Sequence, residues 1–333
     1  MELSIILIMM LIVALGVATN FIVKSGSYPA KLKRITQFYE DGNMELAMKE
    51  INELDPKFKK DPIILWYSAN LYYKQNQYIL AMASLQSMLD GAYFTKDITE
   101  LKVREFLANI YEETGNAKKA LDEYDYIIKI KNQDYDSLYK AGLISYQSGE
   151  WILAQKYLSL AATRNDSNPE LLYMLAYSYY KMRTYHAAQQ NIEKAIALDS
   201  SNYNYHLLYG RILSASRDFQ NAVKELEISY DSSFIDNKDS ISLDLANSYY
   251  ELGDYDKANK YYREVLTKDN IANEKVVDER YRYAETLVKQ KHFEEAVKQW
   301  EIIKSIRNIY LDVDQKLKTY SSIIANNAFR TAL

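Results

Sequence analysis

Apolar and polar positions along the chain repeat with a period near 34 residues, which is typical of a helix–turn–helix unit stacked many times. The clearest mark of the period is a single alanine in each unit, which we call the anchor. The successive anchor spacings are 34, 39, 34, 34, 34, 36 and 38 residues. The anchors are Ala47, Ala81, Ala120, Ala154, Ala188, Ala222, Ala258 and Ala296.

Each anchor has companions at fixed distances. A small residue stands twelve positions earlier in seven units, and this pair allows two helices to approach closely: Ala69, Ala108, Gly142, Ala176, Gly210, Ala246 and Ala284. A large residue follows the anchor by one helical turn, which keeps both on one buried face: Leu85, Tyr124, Leu158, Ile192, Leu226, Tyr262 and Trp300. An aromatic residue commonly precedes the anchor by three positions and is predicted to fill the corner between the helices: Tyr78, Trp151, Tyr185, Phe219, Tyr255 and Phe293.

This pattern resembles the tetratricopeptide repeat (TPR) family. Residues 245–258 (LANSYYELGDYDKA) are close to the family consensus, residues 168–199 nearly as close, and the resemblance covers roughly residues 30–305. It implies an all-α superhelical solenoid of about eight helix pairs, with the repeat array at 35–306. The family also implies a non-enzymatic scaffold that binds protein or peptide partners.

In TPR proteins the first helix of each repeat lines a concave groove. The positions concerned lie three before, one after and four after the small residue. The resemblance implies a partner-binding groove made by Trp66, Asn70, Tyr73, Asn109, Tyr139, Tyr146, Tyr173, Tyr177, Tyr180, Arg211, Asn247, Tyr250 and Tyr281. The remaining groove positions are Glu105, Glu112, Leu143, Leu207, Ser214, Leu243, Glu285 and Val288. Because Tyr and Asn dominate, an extended or helical protein segment is the expected ligand, and the asparagines are expected to be exposed.

The N-terminus predicts a membrane anchor. Leu3–Val23 is a run of 21 residues without a charge, long enough as a helix to cross a hydrocarbon core of about 30 Å. A cleaved secretory signal is the alternative, with Gly16-Val17-Ala18 as its processing site. The segment 24–34 that follows is basic, and the positive-inside rule then places the repeats in the cytoplasm, as in a single-pass inner-membrane protein. A periplasmic array is the alternative.

Charge and motifs narrow the function classes. The 333 residues carry a net charge of −4, so nucleic-acid binding, which needs a concentrated positive face, is not expected. No phosphate-binding loop, HExxH or GxSxG motif occurs, and the chain has no cysteine. His186, His206 and His292 are scattered over different repeats. We therefore predict no catalytic residue, metal, cofactor or small-molecule substrate.

The last segment, 307–333, keeps helical periodicity but lacks the small-residue pair. We predict a capping helix over the end of the array, with a docking helix as the alternative.

The whole arrangement is similar to bacterial envelope-assembly adaptors of the lipopolysaccharide assembly protein B family. That family adds a C-terminal metal module with paired cysteines, which this chain lacks. The sequence thus predicts a membrane-anchored scaffold that assembles or regulates a complex. A periplasmic assembly factor for the outer membrane, a flagellum or a pilus, and a helical enzyme without a recognisable motif, are the alternatives.

Overall fold

The computed structural model describes residues 26–132, 134–232, 238–267 and 274–332, with side chains described as far as Ala328. Within these ranges the chain forms seventeen α-helices and no strand. The chain divides into two compact units, residues 1–144 and 145–333. Helices from sequential positions pack together in pairs and then on the next pair, so each unit is a stack of helix pairs.

In the first unit the pairs follow one another with one irregularity, a 3-10 helix at Pro56–Phe58. The helices are α1 (Tyr28–Glu40), α2 (Met44–Asn52), α3 (Pro62–Lys74), α4 (Tyr78–Asp90), α5 (Glu100–Glu113), α6 (Ala117–Ile130) and α7 (Tyr135–Gln147), whose last residues belong to the second unit. The second helix of the first repeat is short, with nine residues.

The second unit contains the more regular repeats. Its helices are α8 (Trp151–Arg164), α9 (Pro169–Lys181), α10 (Tyr185–Leu198), α11 (Tyr203–Ala215), α12 (Phe219–Ser232), α13 (Lys238–Leu252), α14 (Tyr255–Leu266), α15 (Val277–Lys289), α16 (Phe293–Ile306) and α17 (Val313–Ala332). The eight predicted helix pairs are α1/α2 to α15/α16, and α17 follows them.

Side-chain caps begin several of the first helices. Asp61 Oδ1 accepts a hydrogen bond from the Ile63 backbone N–H at 2.8 Å, directly before Pro62. Asn168 caps α9 in the same way, again before a proline. A short acceptor side chain satisfies an N–H that the helix leaves open, and proline at the first position has no N–H to lose. These residues therefore define where the first helices start.

The turn inside each pair uses one conformation throughout. The residue five positions before the anchor has a left-handed backbone in all eight pairs, with φ between 58° and 78°. Four of these residues are glycines, and four are side-chain-bearing residues for which this region is unfavourable. The eight residues are Gly42, Asn76, Gly115, Gly149, Arg183, Arg217, Gly253 and Lys291.

The predicted packing register is confirmed. All eight anchors have 0% exposure, and the seven large residues one turn later are buried as well. Space at the small position is tight: a Cβ placed on Gly210 would lie 2.6 Å from Cγ of the fully buried Leu226. The two helices of this pair are so close here that there is no room for another methyl group.

The terminal helix α17 covers the end of the second unit. Tyr320 stacks on Phe293 at 5.5 Å and on Trp300 at 5.3 Å between ring centroids, and Val313 is buried. Lys316 forms an ion pair with Glu285. Two positions later, Lys318 stands where the earlier repeats carry their small residue, and its side chain is exposed. A long charged side chain there gives α17 a polar outer face, as a cap requires.

The predicted membrane anchor, Leu3–Val23, lies outside the described residues. Among the helices of the described ranges, none combines the length and the apolar character needed to cross a membrane. The helix α1 begins ahead of the predicted array start at residue 35, so Lys31, Lys33 and Arg34 of the basic segment lie on it. Arg34 pairs with Glu50 at 3.2 Å, which ties part of this segment to the first repeat.

Candidate functional site

The first helices of neighbouring repeats contact one another in the second unit, α9 with α11, α11 with α13, and α13 with α15. They form a continuous surface, which we call the first-helix face. The predicted groove residues are all partly exposed, in both units. Partial exposure is what a binding surface built on a packed scaffold requires, because each side chain is held on one side and accessible on the other.

Six aromatic rings form a connected group on this face, between α7 and α10. Tyr146 and Trp151 both contact Tyr177, with ring centroids 5.4 and 5.5 Å apart and edge-to-face geometry. Tyr177 in turn contacts two more rings of its own helix, at 6.3 Å each. These distances are typical of favourable aromatic pairs. We call the group the aromatic cluster; it consists of Tyr146, Trp151, Tyr173, Tyr177, Tyr180 and Tyr185.

Three hydroxyl groups of the cluster have a raised pKa and stay protonated at neutral pH. Burial raises the pKa of Tyr146, Tyr173 and Tyr180 above the ordinary tyrosine value. A neutral phenol both donates and accepts a hydrogen bond. The ammonium group of Lys181 lies 5.2 Å from the Tyr177 ring centre, so the cluster has a cation at its rim.

Tyr139, which was grouped with these tyrosines from sequence, lies in the first unit. It stacks on Tyr135, one helical turn earlier, at 5.9 Å. The first unit has its own smaller aromatic contact, where Trp66 and Tyr73 meet Phe106 at 5.6 and 5.2 Å. Each unit therefore presents aromatic side chains at predicted groove positions.

A second set of groove residues was missed by the sequence reasoning. The residue two positions before the small residue reaches back to the groove residue one position after the small residue of the preceding repeat. Asp244 thus accepts a hydrogen bond from Arg211 Nε at 2.7 Å, and Lys316 pairs with Glu285. These positions recur at a fixed offset, but the offset alone does not show that the two side chains meet.

We call these pairs between neighbouring repeats the inter-repeat ladder. Two of the groove asparagines belong to it, and each also contacts a tyrosine hydroxyl. Asn247 Oδ1 accepts a hydrogen bond from the fully buried Tyr262 at 2.7 Å and from Arg282 at 3.3 Å. Asn109 receives Tyr124 and Lys140 in the equivalent places, at 3.3 and 2.8 Å. The expectation that these asparagines are simply exposed is therefore corrected. Asn247 accepts from a buried hydroxyl, and Asn109 accepts from Lys140 beside the Tyr124 hydroxyl, whose nearer acceptor is Glu112 at 2.9 Å.

Asn70 differs from these two. Its Nδ2 donates to the backbone oxygen of Trp66, one turn earlier, at 2.8 Å. The large residue of its repeat is Leu85, which has no hydroxyl to satisfy. Asn70 therefore remains a groove residue of the kind predicted.

The groove residue nearest α17, Tyr281, is tied to the turn that precedes that helix. Tyr281 donates to Asp312 at 2.6 Å, and Tyr310 donates in return to Asp278. The two rings meet edge to face at 5.9 Å. Further back, Tyr250 contacts Tyr255 at 6.0 Å. This end of the face is thus largely committed to internal contacts.

An open pocket of about 380 Å³ lies on the same face, next to the aromatic cluster. Three guanidinium groups line it, those of Arg211, Arg217 and Arg282, together with the carboxylates of Asp244 and Glu251. We call it the arginine pocket. Tyr180 lines it as well, so the pocket and the aromatic cluster share a wall.

Potential catalytic groups were also located. In the part of the chain that the structure describes, no group of three or more His, Asp or Glu residues is placed to hold a metal ion. His206 is buried, with Nδ1 2.7 Å from Glu225 and Nε2 3.1 Å from the Ser200 carbonyl. It joins α11 to α12 and to the preceding turn, which is a structural role.

Comparisons with known proteins support the repeat family. Two models, both described as tetratricopeptide repeat, match residues 173–233 and residues 242–270. These segments contain most of the aromatic cluster and the arginine pocket's central helices. No curated protein matches the chain. Tetratricopeptide repeats indicate a protein-binding scaffold, and this repeat fold is typically non-enzymatic.

Solved structures give weaker likenesses. A tetratricopeptide repeat protein from Parabacteroides merdae has 15% identity and a TM-score of 0.49, with 78% of this chain and 99% of that chain covered. The C-terminal part of a TPR protein from Cytophaga hutchinsonii has 17% identity and a TM-score of 0.49, covering 86% and 99%. YrrB, described as a TPR protein with an unusual peptide-binding site, has 16% identity and a TM-score of 0.49, covering 59% and 97%.

Proposed function

We propose that this protein is a membrane-anchored adaptor that binds an extended segment of a protein partner on the first-helix face of residues 145–333. The observation that carries the proposal is the aromatic cluster. Its rings are packed on one side, partly exposed on the other, and already ordered by one another. Tyrosine and tryptophan give large contact areas at low entropic cost and dominate binding energies at interfaces.

The groove residues nearer to α17 have a different role from the aromatic cluster. Towards α17, Arg211, Asn247 and Glu285 are engaged in the inter-repeat ladder. Their role in binding is then to shape the face and fix its charge. The aromatic cluster has no such internal polar ladder to satisfy, which favours it as the place where a partner makes its main contacts.

Capture of partners from cells that produce the full chain tests the proposal. The variant is Tyr173→Ala/Tyr177→Ala, and the matched control is Tyr179→Ala. Tyr179 stands on the same helix but accepts a hydrogen bond from Gln155 of the preceding helix, away from the cluster. We expect crosslinked partners, identified by mass spectrometry, to be lost from the double variant and retained by the control.

Folding of the variant has to be separated from binding, because Tyr173 also contacts the buried Tyr205 at 5.3 Å. Circular dichroism and melting provide that check, and Tyr180→Ala is a second variant that removes a ring at the edge of the cluster. Retention of every partner by folded double and single variants would contradict the proposal.

The anchor and its orientation are part of the proposal and rest on the sequence. Leu3–Val23 is uncharged, and Lys24, Lys31, Lys33 and Arg34 follow it. We expect a reporter fused after Leu333 to be active in the cytoplasm. Moving positive charge ahead of Leu3 and removing it behind Val23 should invert the result. Periplasmic activity in the unmodified protein would favour the periplasmic assembly factor instead.

A further inference from the structure

We propose that the arginine pocket receives a carboxylate side chain, so that the segment bound on the first-helix face is acidic where it passes Arg217 and Arg282. This inference rests on the proposed function and adds the chemistry of the partner. The segment is expected to place apolar residues on the aromatic cluster and Asp or Glu directly beside them.

The charges that line the pocket are unequally compensated. Arg211 is matched by Asp244 at 2.7 Å and also donates to Ser240 at 2.8 Å. Arg282 comes no nearer to Glu251 than 3.8 Å, which is long for an ion pair. Arg217 makes no ion pair and no side-chain hydrogen bond among the described residues. Three guanidinium groups against two carboxylates leave the lining with one excess positive charge.

The donors suit a carboxylate. A guanidinium group presents several N–H groups in one plane and binds a carboxylate in bidentate fashion, through charge-assisted hydrogen bonds. Asp244 and Arg211 already pair with each other at one wall of the pocket. An incoming anion therefore meets Arg217 and Arg282 rather than Arg211. An excess of positive charge at one site attracts acidic segments to it.

The position of the pocket defines the source of the carboxylate. The first-helix face continues on both sides, to Tyr177 and Tyr180 in one direction and to Tyr250 in the other. A bound chain can therefore pass through the pocket without ending there. We assign the carboxylate to an Asp or Glu side chain within a segment, and not to a chain terminus.

Fluorescence anisotropy with synthetic peptides and the full chain in detergent tests the inference. Three amidated, labelled peptides share a Leu-Pro-Leu segment followed by Glu-Glu, Gln-Gln or Lys-Lys. We expect the Glu peptide to bind about tenfold more tightly than the Gln peptide, because a hydrogen bond to a charged group is worth that factor. The Lys peptide should bind weakest, and added salt should reduce the preference for Glu.

The chain offers a matched pair of variants. Arg217 and Arg183 occupy the same turn position in adjacent repeats, with φ of 64° and 60°, but only Arg217 lines the pocket. Arg217→Gln should lower affinity for the Glu peptide to that of the Gln peptide. Arg183→Gln should leave both affinities unchanged, and Arg282→Gln should act like Arg217→Gln.

The outcomes separate this inference from the proposed function. Equal affinities for the Glu and Gln peptides, equal effects of Arg217→Gln and Arg183→Gln, or no binding of any peptide would overturn the acidic assignment. Tight binding only by a Glu peptide with a free C-terminal carboxylate would overturn the assignment to a side chain. In each case, loss of native partners from Tyr173→Ala/Tyr177→Ala would leave the proposed function standing.

Discussion

The aromatic cluster and the inter-repeat ladder differ in chemistry and share one repeat position, the one directly after the small residue, where the cluster has Tyr177. In residues 146–185 the rings contact each other and leave their outer sides open. At the position of Tyr177, the later repeats carry the charged or amide residues Arg211, Asn247 and Glu285, and each of these pairs with the following repeat. The backbone geometry is shared, since the anchors of both regions are fully buried. The comparison shows that groove chemistry varies independently of the scaffold.

The largest effects should come from changes to the shared scaffold, and they should be alike in both regions. Ala188→Leu, in the aromatic region, and Gly210→Ala, in the ladder region, both add atoms where two helices touch. We expect each to lower the free energy of unfolding by about 1–3 kcal/mol. Thermal and denaturant melts of the full chain measure this.

A compensating change provides the control for the glycine. The added methyl of Gly210→Ala meets Leu226 at 2.6 Å, so Gly210→Ala/Leu226→Val should recover part of the loss. An unaltered melt for Ala188→Leu would mean that the register of the aromatic region is assigned wrongly.

A loss of similar size should distinguish one groove asparagine from another. Asn247→Ala leaves the hydroxyl of the buried Tyr262 without its acceptor, and we expect a loss of about 1–3 kcal/mol in stability. Asn70→Ala removes only a bond to its own helix and should cost less than about 0.5 kcal/mol. The double variant Asn247→Ala/Tyr262→Phe should be more stable than Asn247→Ala alone; no difference would show that this hydrogen bond has no structural role.

The tyrosine–aspartate contacts at α17 should weaken at alkaline pH. Burial, and then the hydrogen bond to Asp278, raise the pKa of Tyr310 from 10.0 to about 12. The folded state holds the proton more tightly, so this contribution is fully present below pH 10 and is lost as pH rises towards 12. Stability measured against pH should fall more steeply in this window for the native chain than for Tyr310→Phe. Parallel curves would contradict the assignment.

The smallest effect concerns the turn. Arg183→Gly replaces a residue with φ of 60° by one that adopts this region freely, and we expect stability to rise by about 0.5 kcal/mol, the difference between relieved strain and added chain entropy. Gly149→Ala, at the equivalent turn, should do the reverse. A loss of stability for Arg183→Gly would show that the Arg183 side chain makes a stabilising contact.

Much of the fold followed from residues that repeat at fixed spacing. The anchors, the small residues and the large residues report local packing, and packing of this kind depends only on sequence offset within one repeat. The turn is marked in the sequence at Gly115, Gly149 and Gly253, because glycine adopts a left-handed backbone freely. At Arg183 and Arg217 it is not, since neither residue favours a left-handed backbone by itself.

The site was less predictable because it depends on contacts between repeats. That Arg282 reaches Asn247 follows from how one pair stacks on the next. Sequence offset does not encode that rotation. The arginine pocket has the same origin, since its residues come from the four first helices α9, α11, α13 and α15, from one turn and from the start of α12.

The most direct test of the account is site-specific photo-crosslinking in native cells, with the crosslinking amino acid at position 180 or at position 179. The two positions are adjacent on α9, and Tyr180 faces the aromatic cluster and the arginine pocket while Tyr179 faces the preceding helix. The account predicts that a protein partner is captured from position 180 and not from position 179. Capture from position 179 alone, or equally from both, would contradict the claim that the first-helix face is the binding surface.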